Sequence, residues 1–151
     1  MSAMKWLAAL GCTAVALVPV LTAAQAPARG EPLVTLKELM EKTITPATNR
    51  LWNVPEMPTD EDWAALEEAA ITLLAGAQVN ALGGTGAKDN EWAASPAYQA
   101  FNQAMIAAGR DALAAVRARS TDALLAAGDV LYPPCEGCHL QFNPGVTEEN
   151  R

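Results

Sequence analysis

The feature that most constrains this chain is Cys135-Glu136-Gly137-Cys138-His139, which holds its only histidine and two of its three cysteines. Two cysteines at this spacing cannot staple distant segments. The fold must therefore be held by its core or by something the pair binds. On a helix, positions i, i+3 and i+4 share one face. Two thiols there can bond one edge of a flat cofactor, and the imidazole can reach a metal at its centre. This is the C-x-x-C-H pattern of covalent haem c attachment, with Cys135 and Cys138 as attachment points and His139 as the proximal iron ligand. A thioredoxin-like pair would need surrounding strands, which the pattern does not suggest. A structural zinc site normally needs four ligands, and no second histidine exists to help supply them. A plain disulfide is the remaining alternative.

The amino end has the three-part plan of a secretory signal peptide: a short start carrying Lys5, an apolar run over Trp6 to Val20, then small residues around Ala24-Gln25-Ala26. The run is about 15 residues, short of the roughly 20 that span a bilayer, so no stable membrane insertion is expected. Residues 1–26 are read as the cleaved signal, with Cys12 discarded, and 27–151 as one exported, periplasmic domain. Cleavage there removes Lys5 and no acid, leaving nine basic side chains against 17 acidic ones. With no basic run to neutralise phosphates, nucleic acid is excluded as a partner.

Periodicity predicts four helices and no strand. Thr35 and Glu38 form a capping-box pattern that opens the first, over about Thr35 to Trp52. Leu36, Met40, Ile44, Ala47 and Leu51 make its apolar stripe, and Pro46 should kink or split it. The second starts at Thr59 or Asp60, has Asp60, Glu61 and Asp62 at its amino end, and buries Trp63, Leu66, Ala70, Leu73 and Leu74 to near Leu82. Residues 83–89 form a loop, which lacks the Gly-Lys-Ser/Thr ending of a phosphate loop. Ser95 and Pro96 open the third, with Tyr98, Phe101, Met105, Ala108, Ala112 and Val116 inward, to about Arg119. Ser120 or Thr121 caps the fourth. There Leu124, Gly128, Leu131, Cys135, Cys138 and Phe142 share a stripe, and Pro133 predicts a kink or break between Leu131 and Cys135. The fold class is all-α, an antiparallel four-helix bundle with haem near the carboxyl end of the fourth helix.

Four helices with C-x-x-C-H near the carboxyl end resemble the class II c-type cytochromes, the cytochrome c′ family and its low-spin relatives. The layout matches over the whole mature chain, and the motif is specific at residues 135–139. Leu39-Met40-Glu41 with Pro46 and Trp52, and the Asp60-Glu61-Asp62-Trp63 helix start, are similar to a subgroup of exported cytochrome c′-like proteins. The chain departs from the family in Pro133-Pro134 and in lacking a basic residue shortly after the histidine, where Leu140-Gln141-Phe142-Asn143 stand. That bears on the environment of the haem propionates.

The other side of the iron decides function. Candidates are Met40, Met57, Met105, Lys37, water or an open position. In an antiparallel bundle the start of the first helix lies beside the end of the fourth, which brings Met40 to the height of the motif. The resemblance implies a methionine ligand at this place in low-spin members and an apolar non-ligand in five-coordinate ones. Met40 is therefore the proposed distal ligand. Otherwise it is a flexible core filler, and Lys37 pairs with Glu41 on a solvated face. With Met40 bound, the chain is a one-electron carrier. With the position open, it binds small gases such as nitric oxide or carbon monoxide. A haem subunit of a larger exported complex is a third reading. No catalytic residues are assigned, because no distal histidine or acid–base pair accompanies the motif. Expected partners are redox proteins. The acidic group Asp60, Glu61, Asp62, Glu67 and Glu68 reads as a capped, solvated helix end, with a docking patch for a basic face as the alternative. The resemblance also implies a homodimer as one assembly.

Overall fold

The structure, a computed structural model, describes residues 30–145. The signal-peptide reading of 1–26 lies outside the described residues. The fold is all-α, with no strand among the described residues. Helix α1 (36–52) is built from α-helix Leu36–Leu39, a π-helical turn Met40–Ile44 and α-helix Thr45–Trp52. It is followed by α2 (Asp60–Asn80), the short α3 (Asp89–Ala94), α4 (Pro96–Arg117) and α5 (Thr121–Phe142). None of these helices is long and apolar enough to cross a membrane.

The capping box of Thr35 and Glu38 forms as expected, and Thr59 makes a second one with Asp62. Ser120 caps α5 by accepting the Ala123 N–H at 3.3 Å. Ser95 precedes α4 but makes no side-chain cap bond. The expected ends shift inward, from near Leu82 to Asn80 and from about Arg119 to Arg117. Arg119 adopts a positive φ of 52° in the turn to α5.

Two proline expectations change. Pro46 does not break α1. Instead the preceding turn widens, with the Thr45 N–H donating five residues back to the Met40 carbonyl. In a regular α-turn the Pro46 ring would meet the carbonyl of Lys42, and widening relieves that clash. The buried stripe consequently steps by five, from Leu39 to Ile44, before resuming at Ala47 and Leu51. Met40 is thereby moved to the edge of the stripe, where it is half-buried. Gly76 of α2 lets the widened turn pack closely, since a Cβ there would lie 2.9 Å from Ile44 Cγ1.

Helix α5 likewise continues through Pro133 and Pro134 instead of breaking. Each proline deprives one carbonyl, of Asp129 or Val130, of its donor. Both residues lie on the exposed side of α5, where water can replace the lost bond.

Helix α5 packs chiefly on α4, α4 on α2 and α2 on α1, whereas α1 and α5 touch only slightly. The core is a continuous cluster in which Leu51, Leu66, Leu73, Leu124 and Leu131 are the largest fully buried apolar side chains. The loop before α3 is clasped to the start of α1. Buried Asp89 accepts from the Leu36 and Gly86 N–H groups, each at 2.8 Å.

Candidate functional site

The slender contact between α1 and α5 leaves a cavity of about 710 Å³, within the range of small-molecule and cofactor sites, roughly 300–1,000 Å³. Helix α5 contributes Tyr132, Pro134, Cys135, Glu136, Cys138, His139 and Leu140. Helix α1 contributes Met40, Ile44, Thr45, Thr48 and Trp52. The floor comes from Asn80 of α2 and from Phe101, Asn102 and Met105 of α4. The three motif residues and Met40, read from opposite ends of the sequence, thus line one space.

The helical spacing presents both cysteines of α5 to this cavity, half-buried and not bonded to each other. Burial pushes both thiols up to about 11, helped at Cys135 by its neighbour Cys138, so both are neutral near pH 7. Burial also lowers the affinity of His139 for a proton. A neutral imidazole keeps a lone pair available for a metal. Gly137 allows close seating of the motif on α4, because a Cβ there would lie 2.7 Å from Phe101 Cε1.

The wall is strongly aromatic. Trp52, Phe101 and Tyr132 line it, and Trp52 and Tyr132 pack with ring centroids 6.3 Å apart. Trp52 is fixed by donating from Nε1 to the Gly128 carbonyl at 3.1 Å. Behind the end of α5, Phe142 packs edge-on against Tyr98 at 5.3 Å and tilted against Trp92 at 6.2 Å. Trp63 is buried core.

Among the alternative ligands, Met57 is 88% exposed and away from the cavity. Lys37 lies 3.6 Å from Glu41 on an exposed face. Met105 is buried and does line the cavity. Among the described residues, no group of three or more His, Cys, Asp and Glu side chains could hold a bare metal ion.

The floor holds a polar network not anticipated from sequence. Tyr98 donates to Asn80 Oδ1 at 2.6 Å, Asn80 Nδ2 to Asn102 Oδ1 at 2.9 Å, and Asn102 Nδ2 to the Ala77 carbonyl at 3.0 Å. Its signal was a polar residue, Asn102, spaced on the apolar stripe between Tyr98 and Met105. Burial is the main reason the Tyr98 phenol is held protonated well above its ordinary range.

These features fit a haem. The cavity is large enough and walled by aromatic rings. It presents two thiols and a neutral imidazole on one helix, with an uncharged thioether on another. Among the described residues, no lysine or arginine lines it. The acidic group of α2 is largely engaged elsewhere: Asp62 pairs with Arg50 at 3.4 Å, Glu67 with Arg117 at 2.7 Å, and Asp60 with Arg119. Compared with protein-family models, curated proteins and solved structures, the chain matches none.

Proposed function

We propose that this chain is an exported, periplasmic c-type cytochrome that carries single electrons. In this reading the four long helices form an antiparallel bundle of the class II type. Haem c is attached through Cys135 and Cys138, with His139 as proximal and Met40 as distal ligand. The observation that carries the reading is that Met40 lines the same cavity as Cys135, Cys138 and His139.

When bound, the haem supplies a one-electron iron couple whose potential is raised by Met/His ligation. The protein's residues supply the rest. Cys135 and Cys138 fix the cofactor edge to α5, and His139 offers a neutral nitrogen from the same face. Met40 offers an uncharged sulfur from α1. Trp52, Phe101 and Tyr132 limit access of water. Ligation on both sides suits electron transfer, because no position remains open to a substrate. Nothing in this reading requires a catalytic residue.

Optical spectra of the oxidised and reduced protein, with and without carbon monoxide, test the ligand set. The expected result is a low-spin spectrum indifferent to carbon monoxide, becoming high-spin and reactive in Met40→Ala. A low-spin spectrum that survives Met40→Ala but not Met105→Ala would move the ligand to Met105, which the cavity also admits. A high-spin, carbon-monoxide-reactive spectrum without mutation would favour the gas-binding reading.

A further inference from the structure

Helix α5 contains no lysine or arginine, and its acids Asp122, Asp129 and Glu136 are spaced by seven. Leu125 and Tyr132 fall between them, giving steps of three and four along one exposed stripe. Leu125 is 50% and Tyr132 54% exposed. Among the described residues, none of the three acids forms an ion pair. Glu136 only accepts from the Tyr132 hydroxyl at 3.2 Å. This contrasts with α2, whose Asp60, Asp62 and Glu67 are matched by arginines.

The stripe borders a second recess, of about 270 Å³, lined by residues of α1 and α5. Its lining includes Leu51, Trp52, Leu124, Leu125, Asp129 and Tyr132. Trp52 and Tyr132 also line the main cavity, so the recess adjoins the candidate haem site.

We propose that this α5 groove is the docking face for a redox partner presenting basic side chains around an apolar anchor. The inference rests on the cytochrome reading for the partner's role, while the binding chemistry follows from the groove itself. An apolar side chain fills the recess, and lysines or arginines one helical repeat apart meet Asp122, Asp129 and Glu136. A second copy docking through the same stripe would set acids against acids, so charge selects a basic partner. The groove ends at the motif, which brings the partner beside the covalent attachment point.

The probe is a synthetic helical peptide with lysine every seven residues and leucine between, titrated into the isotope-labelled mature protein at about 0.15 M salt, where charges more than about 8 Å apart are largely screened. Amide shifts should map to residues 122–140 and the edge of Trp52. Reversing Asp122 and Asp129 to lysine should weaken binding about tenfold, the sum of two modest rim pairs. Glu61→Lys with Glu68→Lys, an equal change in charge on α2, should weaken it less than about threefold because the pairs are short-ranged. A peptide with glutamate in place of lysine should bind the α5 variant better than the original chain, which guards against misfolding as the cause. Equal losses in both variants, shifts centred on α2, or self-association through α5 would overturn the proposal. The readout needs no haem. A chain that binds the peptide at α5 but carries no haem retains the groove and loses the redox role. A haem protein that ignores the peptide does the reverse.

Discussion

Gly137 provides a quantitative test of how the motif is seated. Alanine there places a Cβ 2.7 Å from Phe101 Cε1 and 3.1 Å from Cζ, where carbon atoms prefer about 3.5–4.0 Å. The ring must retreat by up to about 1 Å, and it forms part of the cavity wall. Overpacking of this kind costs about 1–3 kcal/mol. Replacing a helical glycine with alanine returns about 1 kcal/mol through backbone entropy. The expected net effect of Gly137→Ala is a loss of about 0–2 kcal/mol. In a Phe101→Leu background the obstruction is gone, and the same change should be neutral or stabilising by up to about 1 kcal/mol. The two sites should therefore couple by about 1–3 kcal/mol, as contacting residues do. Urea unfolding of the four proteins in the cycle, at constant slope, measures this directly. A Gly137→Ala effect of the same sign and size in both backgrounds would refute the claim that the glycine exists to admit the ring.

Three further outcomes follow from the polar groups. Tyr98→Phe removes the donor to buried Asn80, and the orphaned acceptor should cost about 1–3 kcal/mol in urea unfolding. Thr59→Ala removes a capping box and should cost about 1 kcal/mol in the same assay. Thr35 lowers the Glu38 carboxyl from its ordinary 4.5, and Thr59 lowers that of Asp62 from 3.8. Because both folded-state values are depressed, this stability is present above the ordinary values and is lost as pH falls through the folded ones. Thermal melts from pH 6 to pH 2 should show an acid loss that is smaller in Thr59→Ala.

Much of this was legible because the signals were local. The capping residues and the stripes of α2, α4 and α5 follow from spacing within single helices, and the shared neighbourhood of Met40 and the motif from placing the first helix antiparallel to the last. The π turn was not legible. It depends on Pro46 removing one donor and on Gly76, a helix away, leaving room for Ile44. The regular four-and-three stripe therefore put Met40 fully inward, whereas the five-residue step sets it, half-buried, at the edge of the buried stripe. Pro133 and Pro134 read as a break, but their freed carbonyls lie on an exposed side, where the loss is small. The pairing of the α2 acids with Arg50, Arg117 and Arg119 was not legible, because these arginines come from distant positions in the sequence. The short helix α3 went unread because six residues carry too little periodicity to distinguish them from the preceding loop.

The central claim is covalent haem at Cys135 and Cys138. The mature protein should be produced with haem-attachment machinery present, denatured, extracted with acidified organic solvent, and measured by intact mass and absorbance. The account predicts a chain that retains the mass and absorbance of one haem, both lost when Cys135 and Cys138 are replaced by alanine. A chain of apoprotein mass, or haem that leaves entirely with the solvent, would contradict it.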